Sequence, residues 1–215
     1  MHIDASLGYS FLALFVIIDP IGTAALFLGL THGMSESYRR EMAARGVVVA
    51  GILLLFFAFA GEILLQALGI GLAAFRIAGG VLLFLLAIDM VVARQSGLRT
   101  LTKTENREAD REARARHDIS VFPLAIPLIA GPGALTTMVL LMGQAGGSWS
   151  ARIGLIVVLV AVLAITYALL LAANRLVKIL GTTGVNAITR VLGILLAALA
   201  VQFVLDGLIE GLHLG

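Results

Sequence analysis

An aspartate and a proline stand side by side in a long apolar stretch, "VIIDPIGTAA" at residues 16–25. A lone carboxylate at the centre of a bilayer costs at least about 2.5 kcal/mol on insertion scales, and proline lacks the N–H that continues a helix. We therefore expect Asp19 to face the interior of a helical bundle, beside a proton, a sodium ion or a substrate ammonium group. Asp followed by Pro is also a helix-start signal, so capping of the helix that begins at Pro20 is the simpler alternative.

A second break of the same kind lies in "PLAIPLIAGPGALTT" at residues 123–137. Gly131 has no side chain to cap the helix expected to begin near Ala134, so the N–H groups there are available to an anion such as a carboxylate. Threonine hydroxyls follow both breaks within one turn. The sequence predicts a binding site where the breaks meet, formed by Asp19, Pro20, Gly22, Thr23, Gly131, Pro132, Gly133, Ala134, Thr136 and Thr137. Structural kinks and gating hinges are the alternatives, and Pro123 and Pro127 fit an ordinary kink.

The composition is that of a polytopic membrane protein, because 60% of the 215 residues are hydrophobic and 13% are charged. A spanning helix needs roughly 20 mainly apolar residues. Six segments qualify, at about residues 8–30, 46–67, 73–93, 119–143, 152–174 and 189–211. We expect an all-α integral membrane protein in which helices 1 and 4 are broken near the middle of the membrane.

The basic residues are distributed asymmetrically. Of the 15 Lys and Arg residues, all but Arg76 and Arg152 lie in the first, third and fifth connections. By the positive-inside rule these connections are cytoplasmic and both termini are periplasmic. The longest polar segment, residues 94–118, is interpreted as a charged cytoplasmic linker, with a lipid-binding or regulatory surface helix as the alternative.

The two sides of this linker repeat each other. Leu68 and Gly69 align with Leu180 and Gly181 at an offset of 112, which also relates Pro20 to Pro132; further on, Arg76 and Gly79 align with Arg190 and Gly193 at an offset of 114. Three spans per repeat is an odd number, so the second copy must be inverted. The predicted organisation is repeat 1 at 1–93, the linker at 94–118 and repeat 2 at 119–215.

Few residues could support catalysis. Cysteine is absent, so thiol chemistry is excluded, and no Walker A motif is present. The four histidines fall at termini or in connections: His2, His32, His117 and His213. A Ser/His mechanism within the membrane is therefore excluded. An intramembrane aspartic hydrolase is the weakest alternative, because Asp89 and Asp206 are expected near opposite faces and leave Asp19 without a partner.

Three segments, "VIIDPIGTAALFLGLT", "PLAIPLIAGPGALTTMV" and "RVLGILLAALAVQFVLDGL", resemble the MarC family of six-span bacterial inner-membrane proteins, also described as small neutral amino acid transporters. The resemblance runs nearly end to end. It implies the six-span fold, a bacterial inner-membrane location and a transport function. Thr23 stands where the family has an asparagine-like position, so the family's substrate is not carried over.

We expect a secondary transporter of small neutral amino acids or similar small zwitterions, with no enzymatic activity, catalytic residue, metal site or cofactor. Its carboxylate-binding side is residues 131–134 and its ammonium-binding side is Asp19. The coupling ion, proton or sodium, is left open, as is homo-oligomerisation. The expected partners are membrane lipids and a small-molecule substrate, without nucleic acid. A passive channel or a structural membrane protein is the main alternative.

Overall fold

The computed structural model describes residues 3–92, 118–146 and 148–212, which form helices and turns without a strand. The predicted linker at 94–118 lies outside these ranges, apart from Asp118. The helices are α1 (Ile3–Ile18), α2 (Pro20–Leu30), α3 (Glu36–Ala67), α4 (Leu72–Val92), a π-helical segment (Ser120–Ile129), α5 (Pro132–Gln144), α6 (Trp149–Leu171) and α7 (Ala173–Gly211).

Five helical stretches are long and apolar enough to cross a membrane. They are Leu7–Leu30, which joins α1 and α2, Glu36–Ala67, Leu72–Val92, Trp149–Leu171 and Thr183–Gly211. The π-helical segment and α5 form a sixth if they count as one span, since they are bent by 57° at the break between them. The chain is therefore a multi-pass integral membrane protein with five or six spans.

Helix α3 begins at Glu36, ten residues before the start that hydropathy predicts. Membrane thickness limits the apolar run and not the helix itself, so a polar stretch with good helix formers extends it. Ser35 caps the helix with its side chain. Two i,i+4 ion pairs, Glu36–Arg40 and Glu41–Arg45, lie on the first turns, where such pairs favour helix.

Helix α7 differs in a similar way, because it starts at Ala173 and is interrupted at Gly181, which has φ 65° and ψ 171°. Arg175 and Lys178, expected in a connection, therefore lie on a short helical section before the span. Gly69, which follows α3, also has a positive φ of 70°. A residue with a side chain rarely adopts this region, so both glycines of the aligned pair are required by their backbone conformation.

The close packing of α4 against α7 depends on glycine. An ideal β-carbon on Gly80 would lie 2.8 Å from the Ala200 carbonyl oxygen, and one on Gly193 would lie 2.7 Å from the Met90 β-carbon. Small residues at such contacts let helix backbones approach within a membrane. Large apolar side chains point outward on the other faces, among them Ile52, Phe56, Ile63, Val157 and Ile194. An apolar exterior of this kind suits contact with lipid chains.

Contacts between elements show which connections share an end of the bundle. Arg45, near the first connection, lies 3.6 Å from Asp118, at the end of the third. At the opposite end, Arg76 of α4 forms an ion pair of 2.8 Å with Glu210 of α7. The first and third connections therefore lie at one end of the bundle, and the second connection lies with the C-terminal end of α7. Which end is cytoplasmic stays a prediction from the charge distribution.

Candidate functional site

Asp19 separates α1 from α2 and has φ 45° and ψ 67°, the one positive φ outside glycine among the described residues. Aspartate tolerates this left-handed region better than most residues. Its side chain is buried, with 3% of the residue exposed, and its Oδ1 accepts a 3.0 Å hydrogen bond from the Gly22 N–H. Pro20 is the first residue of α2. Asp19 therefore caps the helix that follows it, as the simpler alternative predicted.

Two further residues of the motif complete this break. A β-carbon on Gly22 would collide with the Asp19 carboxylate, so the capping geometry requires glycine three residues after the aspartate. Thr23 is buried and its hydroxyl donates a 3.0 Å hydrogen bond to the Ile18 carbonyl oxygen. That hydroxyl was expected as a donor to substrate, but its hydrogen is engaged by the last carbonyl of α1.

The second break has a different backbone. Phe122 and Ile126 adopt extended conformations within the π-helical segment, before the cis-linked Pro123 and Pro127. Helix α5 then begins at Pro132, two residues earlier than the start predicted near Ala134. Its N-cap is Gly131, with φ −74° and ψ 169°, which makes no side-chain capping hydrogen bond.

Gly131 packs closely against the preceding segment. A β-carbon there would lie 2.6 Å from the Pro127 carbonyl oxygen, a backbone atom. Gly131 is partly exposed and Pro132 is exposed, whereas Gly133 and Ala134 are buried. The first turn of α5 therefore has one face open to the outside of the bundle and one face in the core.

The two breaks are neighbours in space. A β-carbon on Gly133 would lie 3.6 Å from Cγ2 of Ile17 and 2.6 Å from Cδ2 of Leu83. Ile17 precedes Asp19 by two residues, so the first turn of α5 lies against the end of α1. One predicted site residue of the second break, Gly133, therefore lies beside the residues just before the first break and beside Leu83 of α4.

Two buried threonines follow the second break. The Thr137 residue is 0% exposed and its Oγ1 has no hydrogen-bond partner in the described part of the chain. An unsatisfied buried hydroxyl is unfavourable, so Thr137 is a side chain that a polar ligand could engage. Thr136 points its methyl group at Gly79 of α4, leaving no room there for a side chain.

Other intramembrane polar groups form pairs that sequence reasoning did not predict. Gln202 donates a 2.7 Å hydrogen bond to Asp206 on its own helix. Arg76 has only 11% of its side chain exposed and pairs with Glu210 across two helices. The four-residue spacing could have suggested the first pair, but the second depends on how α4 and α7 pack.

Residues 5–212 match the family described as "MarC family integral membrane protein". A UPF0056 membrane protein of Archaeoglobus fulgidus is 37% identical over 205 residues, covering 94% of this chain and 92% of that protein. The UPF0056 membrane protein YvbG of Bacillus subtilis is 34% identical over 200 residues, covering 92% of each chain. YhcE of Escherichia coli, also a UPF0056 membrane protein, is 32% identical over 205 residues, covering 95% of this chain and 92% of that protein. No solved structure matches. On the match over nearly its whole length, the chain belongs to the MarC family of integral membrane proteins.

Proposed function

We propose that this protein is a secondary transporter of small neutral amino acids or similar small zwitterions, which bind between Asp19 and residues 131–134. One observation carries the proposal. Two helices with proline at their first position begin close together, one capped by a buried carboxylate and the other without a side-chain cap. Discontinuous helices of this kind form the binding sites of many secondary transporters.

The two helix starts offer opposite charges to a zwitterion. The free N–H groups and positive dipole end of α5 attract a carboxylate. Asp19 attracts an ammonium group, and its capping bond to Gly22 through Oδ1 fixes the orientation of the carboxylate. The nearby residues Gly133, Ala134 and Thr137 have small side chains or none, which suits a small substrate.

Two pairs of aligned residues support the same proposal. Pro20 and Pro132 are each the first residue of a helix, and Gly69 and Gly181 each have a positive φ. Both pairs are separated by the offset of 112 found in the sequence. We infer two inverted three-helix units, with their breaks near the middle of a bacterial inner membrane and both termini periplasmic.

The conformation described here is closed around Asp19, of which 3% is exposed. Transport therefore requires a movement that opens a path to this carboxylate. The π-helical segment meets α5 at a 57° bend, and such junctions absorb backbone rotation in hinged proteins. The mechanism assigns no catalytic residue and no cofactor, and a proton or sodium ion would supply the driving force.

Uptake into proteoliposomes tests the proposal. The purified chain would be reconstituted and offered a panel of labelled amino acids under an imposed proton gradient, a sodium gradient or none. We expect saturable, gradient-dependent uptake of one or more small neutral amino acids. Uptake that does not saturate would indicate a passive channel. No uptake under any gradient, from protein that retains its thermal unfolding transition, would contradict the transport proposal and favour a structural role.

A further inference from the structure

A cavity of about 610 Å³ lies at the end of the bundle that holds the first and fifth connections. Its walls come from the end of α2, the start of α3, the end of α6 and the start of α7. Four basic side chains and one acidic side chain line it: Arg39, Arg40, Arg175, Lys178 and Glu36. The cavity therefore carries a formal excess of positive charge.

The basic groups differ in how they are held. Arg39 donates hydrogen bonds of 3.3 and 3.1 Å from Nε and Nη2 to the Thr31 carbonyl oxygen, which fixes its guanidinium group at the end of α2. Arg40 lies 3.9 Å from Glu36, with both side chains mostly exposed, so this pair neutralises little charge.

Arg175 and Lys178 project from the first turns of α7, and neither has an ion-pair partner among residues 3–92, 118–146 and 148–212. The first residue of α7 follows Ala172, which makes no side-chain capping hydrogen bond. The cavity therefore combines two cations that have no ion-pair partner in these ranges with the N-terminus of a helix, which is the positive end of the helix dipole.

Part of the remaining wall is apolar, beside the polar residues Thr31 and Asn174. Leu28 is partly exposed and Leu171 is exposed, so their side chains reach the cavity surface, and Tyr167 adds an aromatic ring with a polar tip. These residues come from the ends of spans, where a bilayer changes from acyl chains to head groups. A ligand that suits this wall carries an anion beside an apolar part.

We propose that this cavity binds the phosphate group of an anionic phospholipid, whose acyl chains lie along the apolar wall. Basic pockets between transmembrane helices on the cytoplasmic side are suited to such head groups, and planar guanidinium groups make bidentate hydrogen bonds to phosphate. The site is separate from the transport site proposed at Asp19, and its test does not depend on transport.

The experiment measures lipid binding by the full-length protein in detergent, using native mass spectrometry and thermal unfolding. The probes are dioleoylphosphatidylglycerol, dioleoylphosphatidylcholine and inorganic phosphate. We expect phosphatidylglycerol to bind and to raise the unfolding temperature more than phosphatidylcholine. A basic residue near the membrane surface contributes about 1 kcal/mol to binding an anionic lipid, so Arg175→Gln with Lys178→Gln should weaken binding roughly 25-fold.

A matched control removes the same charge elsewhere. Arg152→Gln with Arg190→Gln also deletes two cations, neither of which lines the cavity, and it should bind phosphatidylglycerol as the unmodified protein does. Arg175→Lys keeps the charge but loses the bidentate guanidinium geometry, so it should bind more tightly than the Arg175→Gln, Lys178→Gln double variant and no more tightly than the unmodified protein. Equal loss in the two double variants, or equal binding of the two lipids, would overturn the proposal. Displacement of lipid by millimolar inorganic phosphate would overturn the lipid assignment and indicate a soluble phosphate compound instead.

Discussion

The carboxylate of Asp19 lies directly over Gly22, with Oδ1 3.0 Å from the Gly22 nitrogen and Oδ2 in the space that a β-carbon on Gly22 would occupy. The aspartate and the glycine of "DPIG" thus form one structural unit. The proline between them begins the helix, and the glycine leaves room for the side chain that caps it. Any test of the charge on Asp19 must preserve this unit.

Gly22→Ala should destabilise the protein. The added methyl group would collide with the Asp19 carboxylate, and crowding of a packed core costs typically about 1–3 kcal/mol. Gly29→Ala is the matched control, because it lies in the same helix with nothing within 4 Å of its β-carbon position. Thermal unfolding in detergent should show a lower unfolding temperature for Gly22→Ala and an unchanged one for Gly29→Ala. Equal unfolding temperatures would contradict the packing of this break.

Asp19→Asn separates the cap from the charge. Asparagine also tolerates left-handed backbone and also caps helices, so the fold should be retained while uptake falls to background. Asp19→Ala removes the cap as well, and loss of a cap costs about 1 kcal/mol, so this variant should also unfold at a lower temperature. Near-normal, gradient-dependent uptake by Asp19→Asn would reduce Asp19 to its capping role.

Gly131→Ala is a poor test of the anion site at the second break. A β-carbon there would lie 2.6 Å from the Pro127 carbonyl oxygen, so any loss of uptake could come from altered backbone. Thr137→Val is better, because valine has nearly the same shape as threonine and has a methyl group in place of the hydroxyl. Since Thr137 Oγ1 has no hydrogen-bond partner in the described ranges, we expect unchanged or higher stability together with weaker substrate affinity.

The loss of affinity should follow from one lost hydrogen bond to substrate, which is worth about 0.5–1.5 kcal/mol, or roughly 2- to 10-fold in apparent KM. Thr166→Val is the control, because Thr166 is equally buried but its hydroxyl donates to the Val162 carbonyl oxygen within its own helix. Its uptake should be unchanged. A variant at Thr137 with unaltered KM would remove this residue from the proposed site.

The membrane architecture was accessible from sequence because bilayer thickness imposes a length on each apolar run. Pro20 could likewise be predicted as a helix start, since aspartate followed by proline favours the first turn of a helix. The second helix begins at Pro132, two residues before the predicted start. The left-handed backbone of Asp19 was not predicted. It occurs together with two contacts that span the break, the Gly22 N–H bond to the Asp19 carboxylate and the Thr23 hydroxyl bond to the end of α1.

Contacts between residues far apart in the chain were harder to predict from the sequence. The ion pair of Arg76 with Glu210 and the basic cavity depend on which helix ends meet, and hydropathy carries no information about that. The π-helical segment was missed for a different reason. Pro123 and Pro127 fit an ordinary kink in sequence, whereas the extended residues before them change the hydrogen-bond pattern of the whole segment.

The stability of the protein should depend on Asp118 at acidic pH. Hydrogen bonds from the Ser120 hydroxyl and backbone N–H, with a further contribution from Arg45, lower the pKa of Asp118 in the folded state. A carboxyl group with a lowered folded pKa stabilises the fold above its unfolded pKa of about 4. That contribution is lost as the pH falls through the folded value.

Unfolding temperatures measured from pH 7 down to about pH 3 test this dependence. Asp118→Asn should unfold earlier than the unmodified protein at neutral pH, and the two should converge at the acidic end. Ser120→Ala, introduced into both proteins, should reduce the difference between their unfolding temperatures at neutral pH. Arg45→Gln should reduce it less, because the Ser120 hydrogen bonds have the larger effect on the pKa of Asp118. A difference that stays constant with pH would contradict a role for the ionised carboxylate.

The orientation in the membrane can be measured with single cysteines, since the chain has none of its own. His32 lies in the first connection and Ser150 near the fourth, and both are exposed. In intact cells, a membrane-impermeant thiol reagent should label Ser150→Cys and spare His32→Cys, because the basic residues cluster in the odd connections. Both variants should be labelled after the cells are permeabilised, which controls for access to the thiol.

The reverse pattern would place both termini in the cytoplasm. It would put the basic cavity at the external face and leave the proposed inverted repeat unaffected. Labelling of both positions in intact cells would contradict the predicted number of spans.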